Sequence, residues 1–314
     1  MKKLLIVIFL GSLSMANQSL LFLEAQVVAG YNDAQSIYYS QDPDDSMQQS
    51  SIGFDFLQKL SGENGDYGRI ALQARVNYVP NNVSMHLYNA YISFKVPEGY
   101  LWVGHSKPAM GLSSWLDTHA SLLPTLTMKG FGYDRDWGIG MVVQQEDGED
   151  AYSLTTGSGM KLISEGNYLL SGRKSWGVLN RDNSSLGLSV TYGKAYEVMG
   201  YKLMMHHPKE IAIIGLDHSL RWDNYEWLGE VFAGQKDSQN AYAAMGRFSV
   251  NLMEENRLKL EIQSLLTESY NQFKRETAIG ATYLLTDDWT TRMMVQWNDN
   301  NPRIVLQAYY SGGL

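Results

Sequence analysis

The feature that most constrains the fold of this chain is an alternation of apolar and polar residues that recurs from residue 26 almost to the C-terminus. Between residues 69 and 78, for example, Leu72 and Val76 fall on one face of an extended segment, and Arg69 and Arg75 fall on the other. A period of two is typical of β-strands, and almost no helical period accompanies it. The chain is therefore predicted to be all-β.

The length of the alternating runs separates two kinds of β protein. Strands of a soluble sandwich usually have about 5–6 residues, whereas a strand needs about 9–11 residues to cross a bilayer at the tilt found in barrels. Trp289 and Trp297 lie on one face of a predicted strand, eight positions apart. At about 3.3 Å per residue and a tilt near ~40°, they are about 20 Å apart along the barrel axis, which matches the two aromatic girdles of an outer-membrane barrel. We therefore predict a transmembrane antiparallel β-barrel, with a soluble sandwich as the alternative.

The runs divide the chain into about sixteen predicted strands, with about fourteen or eighteen as alternatives. The predicted strands cover residues 26–33, 50–60, 67–79, 84–96, 99–106, 135–145, 149–158, 166–175, 184–194, 211–221, 224–234, 240–252, 256–267, 274–286, 288–298 and 302–311. The long connections at 34–49, 107–134 and 195–210 all fall on one side of such a sheet, and the connections on the other side are mostly short. Outer-membrane barrels combine short periplasmic turns with long extracellular loops in this way, which supports an even strand count.

The N-terminus has the layout of a secretory signal peptide. Two lysines precede an unbroken apolar run at residues 4–10, and small residues follow it. Cleavage is expected after Ala16 or, because a second apolar stretch follows, after Ala25. We therefore expect a signal peptide within residues 1–25 and a barrel in 26–314. An uncleaved anchor is the alternative, but the run is short for a spanning helix of about 20 residues.

Composition excludes several classes of function. The chain has no cysteine, which excludes thiol catalysis and cysteine-bound metals. Its formal charge of −8 argues against binding to nucleic acid. No segment after the N-terminus is apolar over the length of a membrane-spanning helix, so a membrane protein of this composition must be a closed barrel.

The connection at 107–134 is the longest and is unusually apolar for a surface loop. Its apolar residues are Met110, Leu112, Trp115, Leu122, Leu123, Leu126, Met128 and Phe131. We expect this loop to fold into the lumen and narrow it, and the alternatives are an outer lid or a contact with a neighbouring subunit. The residues expected at the constriction are Trp115, Asp117, His119 and Lys129.

The same region resembles a known family. A strand at 88–94 leads to a Gly-x-x-Lys-Pro-x-x-Gly element at 104–111, then to the long loop, and then to Asp-Arg-Asp-Trp-Gly at 134–138, which opens the next strand. This order is similar to that of the phosphate-selective porin O and P family. The resemblance implies a sixteen-stranded barrel, often trimeric, in which basic residues of the lumen draw anions inward. Lys107 and Arg135 are the two residues that match the motif.

The period of two also predicts which charged residues face the lumen. The basic ones are Arg69, Arg75, Lys95, Arg247, Lys259, Arg292 and Arg303. The acidic ones are Asp55, Glu226, Glu230 and Glu261. Once the barrel closes, the strands at both ends of the chain become neighbours. One basic wall is therefore expected from Arg69, Arg75, Lys95, Arg292 and Arg303. If an acidic loop, or Glu226 and Glu230 across the lumen, lies opposite it, the resulting transverse field would orient polar solutes. The alternative is that these charges pair with each other and only solvate the lumen.

Motifs for catalysis, metals and cofactors are weak. The chain has six histidines, but no Gly-x-Ser-x-Gly elbow and no zinc spacing. We therefore predict a non-enzymatic porin of the bacterial outer membrane, without cofactor or metal. It would pass small hydrophilic solutes or ions, including anions such as phosphate. The expected partners are outer-membrane lipid, lipopolysaccharide and further copies in a homotrimer. The alternatives are a lipase-type or protease-type barrel enzyme that uses His86, His105 or His119, and a plugged structural or adhesive barrel.

Overall fold

The computed structural model describes residues 18–32, 35–41, 47–63, 65–116, 121–179, 181–298 and 301–314. Within these residues, sixteen long strands form one antiparallel sheet. They are β1 (Ser19–Asn32), β2 (Ser51–Gly62), β3 (Gly65–Val79), β4 (Asn82–Val96), β5 (Gly99–Ser106), β6 (Asp136–Gln144), β7 (Gly148–Thr155), β8 (Tyr168–Trp176), β9 (Ser184–Ala195), β10 (Lys209–Trp222), β11 (Tyr225–Lys236), β12 (Gln239–Leu252), β13 (Leu258–Ser269), β14 (Gln272–Leu284), β15 (Trp289–Asn298) and β16 (Asn301–Gly313).

The sheet closes on itself because β1 pairs with both β2 and β16. Ala25 of β1, for instance, is opposite Tyr310 of β16 and Ile52 of β2. The predicted all-β barrel of sixteen antiparallel strands is therefore confirmed. The largest departure is at β1, which begins at Ser19 rather than at residue 26. Its first apolar residues belong to the barrel wall, and residues 1–17 of the predicted signal peptide lie outside the described residues.

Small elements complete the described part of the chain. Short strands occur at Gln35–Ile37, Val198–Met199 and Lys202–Leu203, and 3₁₀ helices occur at Leu126–Lys129 and Glu254–Asn256. No helix in the described ranges is long and apolar enough to cross a bilayer.

The outer and inner faces of the wall differ sharply in polarity. Val76, Leu188 and Ile214 point outward and remain about half exposed, whereas their inward-facing neighbours Arg75 and Ser189 are buried. Trp289 and Trp297 are both on the outer face. An apolar band around a closed sheet with polar residues inside is the arrangement that a lipid bilayer requires, since no backbone group is left without a partner in the hydrocarbon.

The longest connections all join strands at the same end of the barrel. They are the segments 33–50, 107–135, 156–167 and 196–208, and β1 begins and β16 ends at the opposite end. The connections at that opposite end are short, such as 97–98 and 223–224. The sequence analysis predicted this separation of long connections at one end from short connections at the other.

Two buried ion pairs connect different strands on the inner face of the wall, and each pair passes over a glycine. In the sheet register Gly53 lies between Glu24 and Arg75, and a Cβ on Gly53 would come within 2.5 Å of the Arg75 side chain. Arg75 therefore crosses β2 and donates from Nη2 to Glu24 Oε2 at 2.6 Å. Arg173 reaches Asp217 over Gly187 in the same way, with a distance of 2.7 Å between Nη2 and Oδ1. The glycines at these inward positions make room for long-range pairing along the wall.

Candidate pore and its charged cavity

The segments 107–116 and 121–135, together called the inner loop, lie inside the barrel. Its side chains Met110, Leu126 and Phe131 pack with the inward-facing Ile213 and Phe232 of β10 and β11. Further along, Leu122 and Leu123 pack with Ala278, Met294 and Val305 of β14 to β16. The inner loop therefore covers the inside of the β10–β16 half of the wall through two apolar clusters.

A carboxylate fixes the first turn of the inner loop. Glu230 of β11 accepts the backbone N–H of Leu112 at 2.5 Å, the backbone N–H of Ser113 at 3.2 Å and the hydroxyl of Ser113. Gly111 has a positive φ of 24°, and a Cβ there would lie 2.0 Å from Glu230 Oε1. We call this arrangement the Glu230 clamp. It explains why the last position of the Gly-x-x-Lys-Pro-x-x-Gly element is a glycine.

Basic side chains hold the rest of the inner loop. Lys236 Nζ donates to the carbonyl oxygen of Gly130 at 2.7 Å, and Lys129 Nζ lies 2.6 Å from Glu276 Oε1. Arg247 donates to the carbonyl oxygen of Leu123 at 3.4 Å. Arg247, which was predicted to line the pore, therefore faces inward but is buried beneath the loop. Lys129 belongs to the loop as expected, but it is engaged with the wall.

The far end of the inner loop is anchored to another loop. The hydroxyl of Tyr133 donates to the carbonyl oxygen of Tyr196 at 2.6 Å. Burial raises the pKa of Tyr133 well above its ordinary value, so the phenol stays protonated and remains a donor.

The other half of the barrel contains an open cavity of about 600 Å³. It lies between the inner loop and the inside of β2 to β7, and we call it the basic cavity. Its lining, in the part of the chain that the structure describes, contains five cations and one carboxylate. The charged residues are Lys59, Arg69, Lys95, Lys107, Arg135 and Asp66. Four of these cations are among the predicted pore residues, and the structure brings them together.

The cations stand at two levels of the cavity. Lys59, Arg69 and Lys95 lie near the short-turn end, where Lys59 Nζ is 3.7 Å from Asp66 Oδ2. Lys107 and Arg135 lie at the inner loop. Arg135 Nε donates to Asn89 Oδ1 at 2.8 Å, and six residues of β4 separate Asn89 from Lys95. At about 3.3 Å per residue, the two levels are about 20 Å apart along that strand.

The inner-loop cations are held in fixed positions. Lys107 Nζ donates to the carbonyl oxygen of Trp115 at 2.7 Å. Arg135 Nη1 lies 3.2 Å from Asp134 Oδ2 and also donates to the carbonyl oxygen of Asp134. Trp115, predicted at the constriction, is half-buried and lines the cavity. The predicted constriction residues Asp117 and His119 lie outside the described residues.

The remaining cations of the predicted basic wall do not line the basic cavity. Arg75 is buried and paired with Glu24, as described above. Arg292 donates to Gln307 Oε1 at 2.8 Å and lies 5.2 Å from the Tyr309 ring centroid, and Arg303 is buried. Of the predicted basic wall, Arg69 and Lys95 line the basic cavity, together with Lys59 of β2 and the two cations of the inner loop.

The acids that were predicted to oppose the basic wall have nearer partners among the described residues. Glu230 is enclosed by the inner loop rather than facing water. Glu226 Oε2 lies 2.7 Å from Lys259 Nζ, and Glu261 Oε1 lies 3.6 Å from the same ammonium. Asp55 is half-buried on β2. β11 is eight strands from β3, so Glu226 and Glu230 lie across the barrel from Arg69 as expected, but both carboxylates are occupied by nearer partners.

Sequence reasoning missed Lys59, Tyr91 and Trp102, all of which line the basic cavity. A signal for Lys59 was present, because it shares the inward face of its strand with Asp55, four residues earlier. Tyr91 carried the same signal, since it lies four residues before the inward-facing Lys95. Trp102 carried none, since aromatic residues of a barrel usually face lipid.

The histidines do not form a catalytic group in the described part of the chain. Ser84 Oγ lies 2.9 Å from His86 Nε2, but no hydrogen bond joins the other ring nitrogen of His86 to a described carboxylate. His105 is fully buried and stacks on Trp137 at 4.8 Å. The third candidate, His119, is outside the described residues. No cluster of metal-ligating residues occurs among the described side chains.

Comparisons with known proteins agree with the barrel. No protein family model matches the chain, and no curated protein matches its sequence. The solved structure of OmpF from Salmonella typhi, in complex with daunomycin, matches 94% of this chain and 98% of its own, with a TM-score of 0.70 and 10% identity. The anion-selective porin from Comamonas acidovorans matches 95% of this chain and 100% of its own, with a TM-score of 0.66 and 11% identity.

A third similar structure is a triple mutant of the Rhodopseudomonas blastica porin. It matches 94% of this chain and 100% of its own, with a TM-score of 0.61 and 11% identity. The likeness covers nearly the whole of each chain. The chain therefore has the fold of bacterial outer-membrane porins, and its apolar outer band places it in the bacterial outer membrane.

Proposed function

We propose that this protein is a passive outer-membrane channel for small hydrophilic solutes and that it prefers anions. The observation that carries the proposal is the basic cavity, whose described lining has five cations and one carboxylate. No bond is made or broken in this mechanism. The inner loop limits the size of the solute, and the cavity charge selects its sign.

The acidity of the whole chain does not oppose this proposal. Many of its carboxylates lie in turns at the barrel ends, such as Glu98, Asp147 and Glu254, where water and salt screen them. A charge about 7 Å from a passing ion contributes about 0.6 kcal/mol in bulk water and more where the wall displaces water. Charges inside the cavity therefore outweigh more numerous charges that lie beyond a Debye length of about 8 Å.

The family resemblance supports phosphate as one of the solutes. Lys107 and Arg135, which match the motif of the phosphate-selective porin O and P family, both line the basic cavity. The proposal includes a homotrimer surrounded by lipid and lipopolysaccharide, as in that family. It also includes a signal peptide that is cleaved after Ala16, because cleavage after Ala25 would remove half of β1.

The test is the reversal potential of the refolded protein in a planar bilayer under a KCl gradient. We expect the sign that corresponds to anion preference. The double variant Arg69→Gln with Lys95→Gln should shift the potential toward the cation side. The control Lys194→Gln removes an exposed charge from the outer face and should leave the potential unchanged.

Two results would contradict the proposal. A cation-selective potential in the wild type would refute the anion preference. The absence of conductance steps would favour a plugged structural barrel instead, in which the inner loop and its neighbours fill the lumen.

A further inference from the structure

We propose that the basic cavity is a binding site for organic anions that carry an aromatic ring, such as benzoate. This inference rests on the proposed anion channel and adds the chemistry of the preferred solute. It is carried by an aromatic surface that stands in the same row of the wall as a cation.

Trp102 supplies a flat platform on the inner wall. It is directly opposite Gly140 of β6 in the sheet register, and a Cβ on Gly140 would lie 2.4–2.5 Å from three atoms of the Trp102 indole. The ring therefore occupies the space where a side chain at residue 140 would stand. It lies along the wall and lines the cavity, and 7% of the residue is exposed there.

A cation and a free hydroxyl stand beside this platform. Ser93 of β4 is paired with Trp102 on one side and with Arg69 on the other. Neighbouring strands are about 4.8 Å apart, so the Cα atoms of Arg69 and Trp102 are about 10 Å apart across Ser93. Ser93 is 2% exposed, and its Oγ has no hydrogen-bond partner among the described residues. A buried hydroxyl without a partner is uncommon and indicates a missing acceptor or donor.

A second aromatic residue completes the site. Tyr91 lines the cavity two residues from Ser93, and Arg69 Cζ lies 5.7 Å from the centroid of its ring. At the inner loop, the Nε1 of Trp115 is also buried without a partner in the described part of the chain. The cavity thus offers aromatic faces and unpaired donors together, rather than charge alone.

This arrangement fits an aromatic carboxylate. The carboxylate can accept hydrogen bonds from the Arg69 guanidinium and the Ser93 hydroxyl, and the ring can contact Tyr91 and the part of Trp102 that reaches the cavity. A cavity of about 600 Å³ is large enough for such a solute. Chloride, acetate and phosphate would use the cations and the hydroxyl but gain nothing from the aromatic faces. The site therefore discriminates between anions of the same charge.

The experiment measures the block of chloride current through single channels by benzoate, by acetate and by benzamide. We expect benzoate to half-block the current at a concentration about three- to tenfold lower than acetate, since aromatic pairing is usually worth that factor. Benzamide, which has the ring without the charge, should block more weakly than benzoate. Arg69→Gln should weaken the block by both carboxylates.

The aromatic contribution is isolated by Trp102→Leu. This variant should raise the half-blocking concentration of benzoate by about three- to tenfold and leave that of acetate unchanged. The matched control Trp297→Leu removes an indole from the outer face and should change neither value. If the Trp102 variant does not insert into the membrane, Tyr91→Leu tests the same expectation.

Equal blocking concentrations for benzoate and acetate in the wild type would overturn the inference, as would an unchanged ratio in the aromatic variants. The chloride reversal potential is recorded on the same channels. Anion preference without ring preference refutes this inference alone, whereas cation preference refutes the proposed function as well.

Discussion

Replacing Glu230 with alanine removes the single acceptor that fixes the first turn of the inner loop. The variant leaves two backbone N–H groups, those of Leu112 and Ser113, and one hydroxyl without their partner. A buried donor that loses its partner costs about 1–3 kcal/mol. Three donors therefore give about 3–9 kcal/mol, and removal of the desolvated carboxylate offsets part of this. We expect the inward conformation of the turn to lose about 3 kcal/mol.

The apolar contacts of the inner loop are larger than this loss. Six of its large apolar side chains are at most 3% exposed, namely Met110, Leu112, Leu122, Leu123, Leu126 and Phe131. At about 1.5–3 kcal/mol each, these six contribute about 9–18 kcal/mol toward keeping the loop in the lumen. The loop should therefore stay inside the barrel of the Glu230→Ala variant, and only the turn around Ser113 should become mobile.

Single-channel recording distinguishes these two outcomes. We expect a mean conductance close to that of the wild type with increased open-channel noise, because the loosened turn lies between Ala109 and Trp115, which line the basic cavity. Gly111→Ala should have the same effect, since its Cβ would displace the same carboxylate. The control Glu261→Ala removes an inward carboxylate that contacts Ser249 and Lys259 rather than the loop. Its open-channel noise should equal that of the wild type. A large rise in the mean conductance would show that the loop has left the lumen. Open-channel noise at the wild-type level in Glu230→Ala would show that the Glu230 clamp does not restrain the turn.

Two further predictions concern the wall and the N-terminus. Gly187→Ala should lower the stability of the barrel by about 1–3 kcal/mol, because the new Cβ would stand 2.5 Å from both members of the ion pair beneath it. Urea titration in lipid vesicles checks this, with Gly172→Ala, whose Cβ meets nothing closer than 3.6 Å, as the control. The mature protein should begin directly after Ala16, which N-terminal sequencing of outer-membrane fractions will show; a start after Ala25 would contradict the assignment of β1.

The strands were predictable because lipid and water impose opposite demands on alternate residues. That pattern survives in each strand, so inward positions such as Arg69 and Lys95 could be assigned from parity alone. The start of β1 could not, because an apolar stretch near the N-terminus fits both a signal peptide and a strand that faces lipid. Glu24 was the informative residue, since an acid at that point pairs with Arg75 only if the strand is already part of the wall.

The candidate site was less predictable. The alternation along a strand shows whether a side chain faces the lumen or the lipid, but it does not show which other side chain it contacts. Lys107 and Arg135 were identified through a motif, and both lie in the basic cavity. Glu230 and Arg247 have the correct inward parity but are covered by the inner loop. Arg75 is neutralised through a contact that depends on strand register and on the glycine between. Such partners become visible only when the register of three strands and the path of a loop are known.

The position of the inner loop can be inferred from the sequence of the strands that it covers, because these strands have apolar residues at inward-facing positions. An inner face bathed in water should be polar, yet β10 to β12 place Ile213, Phe232 and Met245 on it, while their outward-facing residues are also apolar. An apolar residue on both faces is costly unless something covers the inner one. The apolar inner loop is the segment that does so. The strands from β2 to β4, which keep Lys59, Arg69 and Lys95 inside, have no such requirement. The open path is therefore displaced toward the basic half of the barrel, and the same packing that positions the loop also determines which charges a solute meets.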